Sequence, residues 1–289
     1  MKLKQKLSTR YTRARLNILS MVSPRKSAVK AFRIFCRPRG RITQQPAIFE
    51  TGEPLSFRFG SHTIRGHRWQ PYSDALRPSA SDTVKRVLVV HGFESSSRIF
   101  DHYIAALLKK GYEVLAFDAP AHGRSGGKRI YVSDYARMLT HIGRTYGPFH
   151  AWLGHSLGGL AIVLSIEDAP PEGRCAVVLI APAPGIAQAV EEWAARHGLP
   201  SEVVKEMDEH VREVSGHPIS WYSLRRAIAS AGANILYVQD DEDTIVSADE
   251  AKRIRQDGHP NIRFLFTSGL GHKKVYKDAE VLDQVVAFL

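Results

Sequence analysis

A serine between two glycines is the part of this chain best suited to chemistry. It lies in Phe149–Leu160, in the order Gly154-His-Ser156-Leu-Gly158, with an apolar run on either side. This pattern predicts a strand, a sharp turn that strains the backbone of Ser156, and a helix, with the glycines leaving room where strand and helix approach closely. The helix would direct its N-terminal amides and dipole toward the hydroxyl. Ser156 is therefore a candidate nucleophile.

A serine hydroxyl becomes a good nucleophile when a base accepts its proton and a carboxylate orients that base. The chain supplies both after two late apolar runs: an acidic segment, residues 240–243, and then Gly271-His272. His217 and His259 are competing histidines in turn-like segments. The residues alone leave four acids open, namely Asp240, Asp241, Glu242 and Asp243.

Apolar strands and amphipathic helices alternate along most of the chain, which predicts a doubly wound, largely parallel sheet with ligands at the carboxyl ends of its strands. A hairpin leads into this sheet, and a polar loop at residues 71–82 follows the hairpin. The predicted strands are 47–50, 55–59, 62–70, 86–90, 113–117, the run ending at 154, 176–180, 234–238 and 262–266. The predicted helices are 100–110, 132–146, the run from 160, 186–196, 201–214, 222–231, 248–256 and 278–289.

The alternation stops after residue 180, where Pro182 and Pro184 interrupt the chain and only helical periodicity follows up to residue 231. We interpret residues 184–218 as a small helical lid over the strand ends. The predicted organisation is a basic extension (1–45), a core in two parts (46–183 and 219–289) and the lid between them.

The extension carries the excess of positive charge. Of 40 bases, 13 lie in the first 41 residues, which contain no acid, so the remainder has 27 bases against 29 acids. Apolar residues recur there at the spacing of one helical face, at Leu3, Leu7, Tyr11, Ala14, Ile18 and Val22. Four interpretations stay open: a helix on an anionic membrane, an arm that binds RNA without sequence preference, a targeting segment, and a partly disordered solvated extension. We expect no specific nucleic-acid partner.

Composition limits the remaining classes. No apolar run approaches the roughly 20 residues that span a bilayer. The two cysteines, Cys36 and Cys175, are far apart and indicate neither a disulfide framework nor a metal site. We therefore expect a cytoplasmic protein, peripheral to a membrane if the basic segment binds one, that needs no metal and no cofactor. Its oligomeric state is open.

Four motifs together resemble the α/β-hydrolase superfamily, in particular its esterases, lipases and acylglycerol-lipase-like serine hydrolases. They are His91-Gly92-Phe93, Asp118–Gly126, Gly154–Gly158, and the late Asp243 with Gly271-His272. The resemblance covers about residues 47–289. It implies the α/β-hydrolase fold, with a mostly parallel central sheet flanked by helices and a small helical lid.

The resemblance also implies roles. Ser156 would be the nucleophile and His272 the general base. Asp243 would be the acid, because family members place it shortly before an apolar pair such as Ile245-Val246. The backbone amides of Phe93 and Leu157 would bind the oxyanion, whereas His91, His155 and the Asp118–His122 loop would serve packing and support.

The implied function is cleavage of a carboxylic ester, on a lipid-like small molecule, through an acyl-enzyme. Thioesterases, peptidases and acyltransferases use the same three side chains, so these activities remain alternatives. A membrane-associated binding protein that keeps the fold without turnover is the alternative from outside enzymology.

Overall fold

The computed structural model describes residues 2–71, 85–170 and 175–289, with side chains from residue 9 onward. The predicted polar loop at 71–82 lies, apart from Pro71, outside these residues. The side chains of Leu3 and Leu7 are also outside the description.

One sheet of eight strands forms the centre of the described chain, in the order β1-β2-β4-β3-β5-β6-β7-β8. The first two strands form an antiparallel hairpin, β2 pairs antiparallel with β4, and all further pairs are parallel. This confirms the predicted mostly parallel sheet. The strands are β1 (Glu53–Phe59), β2 (His62–Trp69), β3 (Arg86–Val90), β4 (Glu113–Phe117), β5 (Ala151–His155), β6 (Ala176–Ile180), β7 (Asn234–Asp240) and β8 (Ile262–Thr267).

The helices follow most of the predicted segments. The predicted helix at 222–231 is shorter, and the glycine-flanked loop predicted around His272 contains one helical turn. The helices are α1 (Lys2–Val22), α2 (Pro24–Phe35), α3 (Asp101–Lys109), α4 (Val132–Tyr146), α5 (Leu157–Asp168), α6 (Ala187–Arg196), α7 (Ser201–Ser215), α8 (Leu224–Ile228), α9 (Asp249–Gln256), α10 (Gly271–Lys274) and α11 (Ala279–Phe288). Within the described residues, no helix has the length and apolar character needed to cross a membrane.

The predicted strand at 47–50 is wrong, because Ala47–Glu50 forms a 3₁₀ turn. Pro46 precedes the turn, and Phe49 is buried with its ring 5.0 Å from that of Trp69. Periodicity cannot distinguish a strand from a helical turn in a stretch as short as this one. The packing of Phe49 on Trp69, which is a tertiary contact, accompanies the turn and is not visible in the local sequence pattern.

The first compact unit of the chain consists of residues 38–184 and 224–289 and contains the sheet. The central parallel strands are buried along nearly their whole length, as expected for a sheet covered on both faces. Every candidate site segment follows the carboxyl end of a strand: residues 91–93 follow β3, Ser156 follows β5, Asp243 follows β7 and His272 follows β8. Because β3 is next to β5, residues 91–93 lie beside Ser156. Because β7 is next to β8, Asp243 lies at the strand end beside that of His272.

The second compact unit consists of residues 1–37 and 185–223, and therefore joins the basic helices to those predicted as a lid. Phe35 lies edge-on to Trp193, with ring centroids 6.0 Å apart. Arg25 forms ion pairs with Glu206, at 3.5 Å, and with Glu213. The basic segment is thus two helices, of which α2 packs on α6 and α7 and α1 packs on α2. The location of a lid over the strand ends stays a prediction.

Candidate active site

The turn after β5 has the strained geometry that its glycine pattern predicts. Ser156 has φ 54° and ψ −124°, a backbone conformation that residues other than glycine rarely adopt. Its backbone is held on both sides, because its N–H donates to the Ile180 carbonyl at 3.1 Å and its carbonyl accepts from the Ala183 N–H at 3.0 Å. Surrounding hydrogen bonds of this kind allow a strained conformation to persist.

The glycines around the serine are required by close contacts. A Cβ at Gly154 would lie 2.5 Å from Cδ1 of Ile162, and one at Gly158 would lie 2.5 Å from the His91 carbonyl oxygen. A Cβ at Gly92 would lie 2.9 Å from the Cβ of Ser156. The segment after β3 therefore lies directly against the serine turn and the start of α5.

The candidate acid and the candidate base are in direct contact. Nδ1 of His272 lies 2.7 Å from Oδ2 of Asp243, and both side chains are buried. Burial by itself would raise the pKa of the Asp243 carboxyl, but the hydrogen bonds from His272 and from the amides of Val246 and Ile245 lower that pKa below its usual value. An ionised Asp243 accepts a hydrogen bond from Nδ1–H of His272. In the neutral ring Nε2 then carries no proton and is able to accept one.

The neighbouring acids have other partners. Asp241 forms a half-exposed ion pair with Lys252 at 3.1 Å, and the Glu242 carboxylate accepts from the Ser268 hydroxyl at 2.7 Å. Asp243 is thus the one of the four candidate acids that contacts His272. The competing histidine His217 instead stacks on Trp221 in the second unit, with centroids 4.0 Å apart.

Asp240 is fully buried and holds the loop that carries the histidine. Its carboxylate accepts from the Gly271 amide at 2.8 Å, the Leu270 amide at 3.1 Å, the Thr267 hydroxyl at 2.7 Å and the Glu242 amide at 3.1 Å. Burial would raise the pKa of Asp240, but these four donors lower it. Sequence reasoning missed this supporting role, because it treats Asp240 only as one of four candidate acids.

His155 connects this loop to the serine turn. Its Nε2 donates to the His272 carbonyl at 3.1 Å, and the two rings lie 4.6 Å apart. Burial and the neighbouring His272 lower the pKa of His155 to about 3, so the ring is neutral. His272 is thereby fastened to the residue that directly precedes Ser156. The Ser156 hydroxyl itself makes no hydrogen bond within the described residues.

The two predicted oxyanion donors are unoccupied amides. Neither the Phe93 N–H nor the Leu157 N–H donates a hydrogen bond in the part of the chain that the structure describes. Leu157 begins α5, where amides have no partner within the helix. The next amide after Phe93, that of Glu94, donates to Nε2 of His122 at 3.0 Å and is therefore in use.

Two further polar side chains hold the loops around these amides, as the resemblance implied. Asp118 accepts from the Ser97 amide and hydroxyl, each at 2.9 Å, and from the Arg124 amide at 2.9 Å. Burial, together with His91, lowers the pKa of His122 to about 3. A neutral His122 can donate from Nδ1 to the Pro120 carbonyl while Nε2 accepts from Glu94. Over residues 2–71, 85–170 and 175–289, no three His, Cys, Asp or Glu side chains cluster as metal ligands would.

The order of strands, with a serine on a strained turn after β5, an acid after β7 and a histidine after β8, defines an α/β-hydrolase. Residues 81–283 match the family model described as serine aminopeptidase, S33. The chain belongs to this family of α/β-hydrolases.

Individual relatives agree with this class. The chain is 30% identical over 127 residues to a bifunctional esterase/perhydrolase of Acinetobacter calcoaceticus, and 33% identical over 105 residues to a monoacylglycerol lipase of Mycolicibacterium smegmatis. These matches cover 42% and 34% of this chain, and only 44% and 37% of the relatives.

Solved structures extend the likeness to most of the chain. An esterase from Pyrococcus furiosus superposes with a TM-score of 0.61 at 20% identity, covering 88% of this chain and 97% of that one. A carboxylesterase from Bacillus subtilis gives 0.60 at 16% identity, covering 96% and 98%. At these identities the likeness shows the fold.

Proposed function

We propose that the protein hydrolyses carboxylic esters through an acyl-enzyme on Ser156. The observation that carries the proposal is the buried 2.7 Å contact between His272 and Asp243, on a loop fastened beside the strained Ser156 turn. The partial relatives named esterase and monoacylglycerol lipase support the same reaction.

In the proposed reaction, Nε2 of His272 accepts the proton of the Ser156 hydroxyl as its oxygen attacks the ester carbonyl. The amides of Phe93 and Leu157 donate to the oxyanion that develops. His272 returns the proton to the leaving alcohol. It then removes a proton from the water that attacks the acyl group, and it gives that proton to the Ser156 oxygen as the acid is released. Asp243 stays ionised throughout and stabilises the positive imidazolium.

We propose a lipid-like or acylglycerol ester as the substrate. Two exposed apolar side chains support an apolar acyl group: Phe93 is at one proposed oxyanion amide, and Ile245 is two residues after the acid. The test is hydrolysis of p-nitrophenyl esters from two to sixteen carbons and of a monoacylglycerol, with Ser156→Ala as control. Activity that rises with acyl-chain length supports the proposal. Equal rates for the wild type and for Ser156→Ala on every ester would contradict it.

Peptide cleavage is the second candidate, because the family description names an aminopeptidase. It uses the same three side chains, so the arrangement of the site does not distinguish it from ester cleavage. Amino-acid p-nitroanilides assayed beside the ester series separate the two. Turnover of an anilide above that of all esters would replace the ester proposal.

We also propose that the basic N-terminal segment makes peripheral contact with an anionic membrane, in a cytoplasmic protein. The support for contact is the concentration of 13 bases and no acid in the first 41 residues. The support for the location is that Cys36 and Cys175 are both buried and form no disulfide. Separation of cell extracts into cytosol and membrane, in low and high salt, tests both.

A further inference from the structure

Helix α1 exposes apolar side chains that a packed helix would normally cover. Four of them are 65–88% exposed: Tyr11, Ile18, Met21 and Val22. At about 100° per residue, these four and Ala14 lie on one arc of about 100°. We call these five residues the α1 stripe.

The opposite side of the same helix is the packed one. Leu16 is fully buried, and its carbonyl accepts from the Ser27 hydroxyl of α2 at 2.9 Å. On the helical wheel Leu16 lies about 170° from the middle of the α1 stripe. The stripe is therefore not needed to hold α1 on its unit, and it points away from the contact with α2.

Arginines border the α1 stripe on both sides. On the wheel, Arg10 lies about 20° beyond one edge and Arg15 about 20° beyond the other. Both are exposed, and neither forms an ion pair with the acids that the structure describes. A narrow apolar band between two positive edges is the arrangement of helices that lie in the interface of an anionic bilayer.

We propose that the α1 stripe docks on an anionic lipid membrane, with its apolar side chains among the acyl chains and Arg10 and Arg15 against lipid phosphates. The inference rests on the peripheral contact proposed for the basic segment and is independent of ester hydrolysis. It adds an insertion surface to what charge alone would provide.

The charges favour a membrane over the other occupants. Two copies paired through their stripes would bring four arginines together, with no acid in the first 41 residues to neutralise them. RNA would use the arginines but has no need of exposed Ile18, Met21 and Val22. An anionic bilayer alone uses both the apolar band and its basic edges.

Vesicle flotation of the full chain in 0.1 M salt tests the proposal, in the Ser156→Ala background so that no lipid is hydrolysed. We expect binding to vesicles of phosphatidylcholine with 30% phosphatidylserine to be at least tenfold tighter than to phosphatidylcholine alone. Equal binding to both, or none to either, would overturn the proposal.

Two double variants separate insertion from charge. Ile18→Ser with Met21→Ser removes apolar surface and keeps every base, and Arg10→Gln with Arg15→Gln does the reverse. Each should weaken binding at least tenfold, whereas Val214→Ser, which changes a half-exposed apolar residue of α7, should leave it unchanged. Full binding by the serine pair would show that charge alone acts and would refute insertion.

A fluorescent label provides a readout that does not depend on the double variants. A nitrobenzoxadiazole group on Met21→Cys should shift to the blue and brighten when anionic vesicles are added, and the same group on Val214→Cys should not. A shift that occurs without vesicles and grows with protein concentration, matched by dimers in size-exclusion chromatography, would assign the stripe to a second copy. A shift caused by RNA instead would assign it to nucleic acid.

Discussion

The two sides of the candidate active site differ in how their polar atoms are used. On the acid–base side, after β7 and β8, Asp240 and Asp243 accept seven hydrogen bonds between them. On the nucleophile side, the Ser156 hydroxyl and the amides of Phe93 and Leu157 make none within the described chain. The side that would fix the position of a histidine has its hydrogen bonds already formed in the protein without substrate. A side that must receive a substrate keeps its donors free.

The same contrast separates the two buried carboxylates. Asp243 holds the ring of His272, and Asp240 holds the backbone that carries that ring. They are three residues apart, and hydrogen bonds lower the pKa of both below the usual value. Substitutions at these positions should therefore separate contact with the base from support of its loop.

The largest expected effect is on the nucleophile side. Ser156→Ala should lower kcat/KM for a p-nitrophenyl ester by about 10⁴- to 10⁶-fold, because Ser156 is the proposed site of the acyl-enzyme. Its melting temperature should match the wild type, since Oγ makes no bond that the structure describes. Activity within tenfold of wild type would mean that Ser156 is not the nucleophile.

On the acid–base side, Asp243→Asn should lower kcat by about 10⁴-fold near neutral pH, because an asparagine amide favours the wrong tautomer of the histidine. The matched control is Asp241→Asn, which changes a half-exposed ion pair and should leave kcat within twofold. Steady-state kinetics from pH 6 to 9 check this. If the two variants lost activity equally, the assignment of the acid would be wrong.

Asp240→Asn should have a smaller effect on kcat, about 10- to 100-fold, with KM nearly unchanged, because it displaces the base without touching the substrate. An amide in place of the carboxylate leaves buried donors facing a donor, at a cost in unfolding free energy of about 1–3 kcal/mol. Thr267→Val removes one of the four donors and should give a milder form of both changes. Stability lost with kcat intact would make Asp240 purely structural.

The smallest expected effect is on the pH dependence of stability at the loop that follows β4. His122 has a pKa of about 3 when folded, against an ordinary value of 6.5, so the unfolded chain binds the extra proton between these pH values. The contribution of neutral His122 to the free energy of unfolding is therefore complete above pH 6.5 and is lost as the pH falls toward 3.

His122→Gln keeps an acceptor for the Glu94 amide and a donor for the Pro120 carbonyl. It should reduce the slope of unfolding free energy by up to about 1.4 kcal/mol per pH unit in that window. Urea denaturation from pH 4.5 to 7.5 measures the slope, with exposed His102→Gln as the control. Identical slopes for His122→Gln and wild type would show that folding does not lower the pKa of His122 and would contradict this account.

The sequence was sufficient where local pattern dictates structure. The alternating strands and helices predicted the mostly parallel sheet, and the glycines around Ser156 predicted the strained turn, because close packing there excludes a Cβ. The residues alone leave four consecutive acids open, and the family resemblance selects Asp243. What no local pattern indicates is that the four side chains diverge to Lys252, Ser268, His272 and the loop backbone.

Non-local packing explains what the sequence left open. The apolar period through Tyr11, Ile18 and Val22 indicated a helix but not which side packs, and the packed side is the one that contains Leu16. Residues 1–37 associate with residues 185–223, although about 150 residues separate the two segments. No local sequence pattern in either segment indicates this association.

The most direct test of the central claim is the mass of the intact protein and of its proteolytic peptides after reaction with a fluorophosphonate probe, which phosphonylates serines activated by a neighbouring base. The account predicts one adduct per chain, on the peptide that contains Ser156, with labelling abolished in Ser156→Ala and strongly slowed in Asp243→Asn. No adduct on the folded wild type, or an equal adduct on Ser156→Ala, would contradict it.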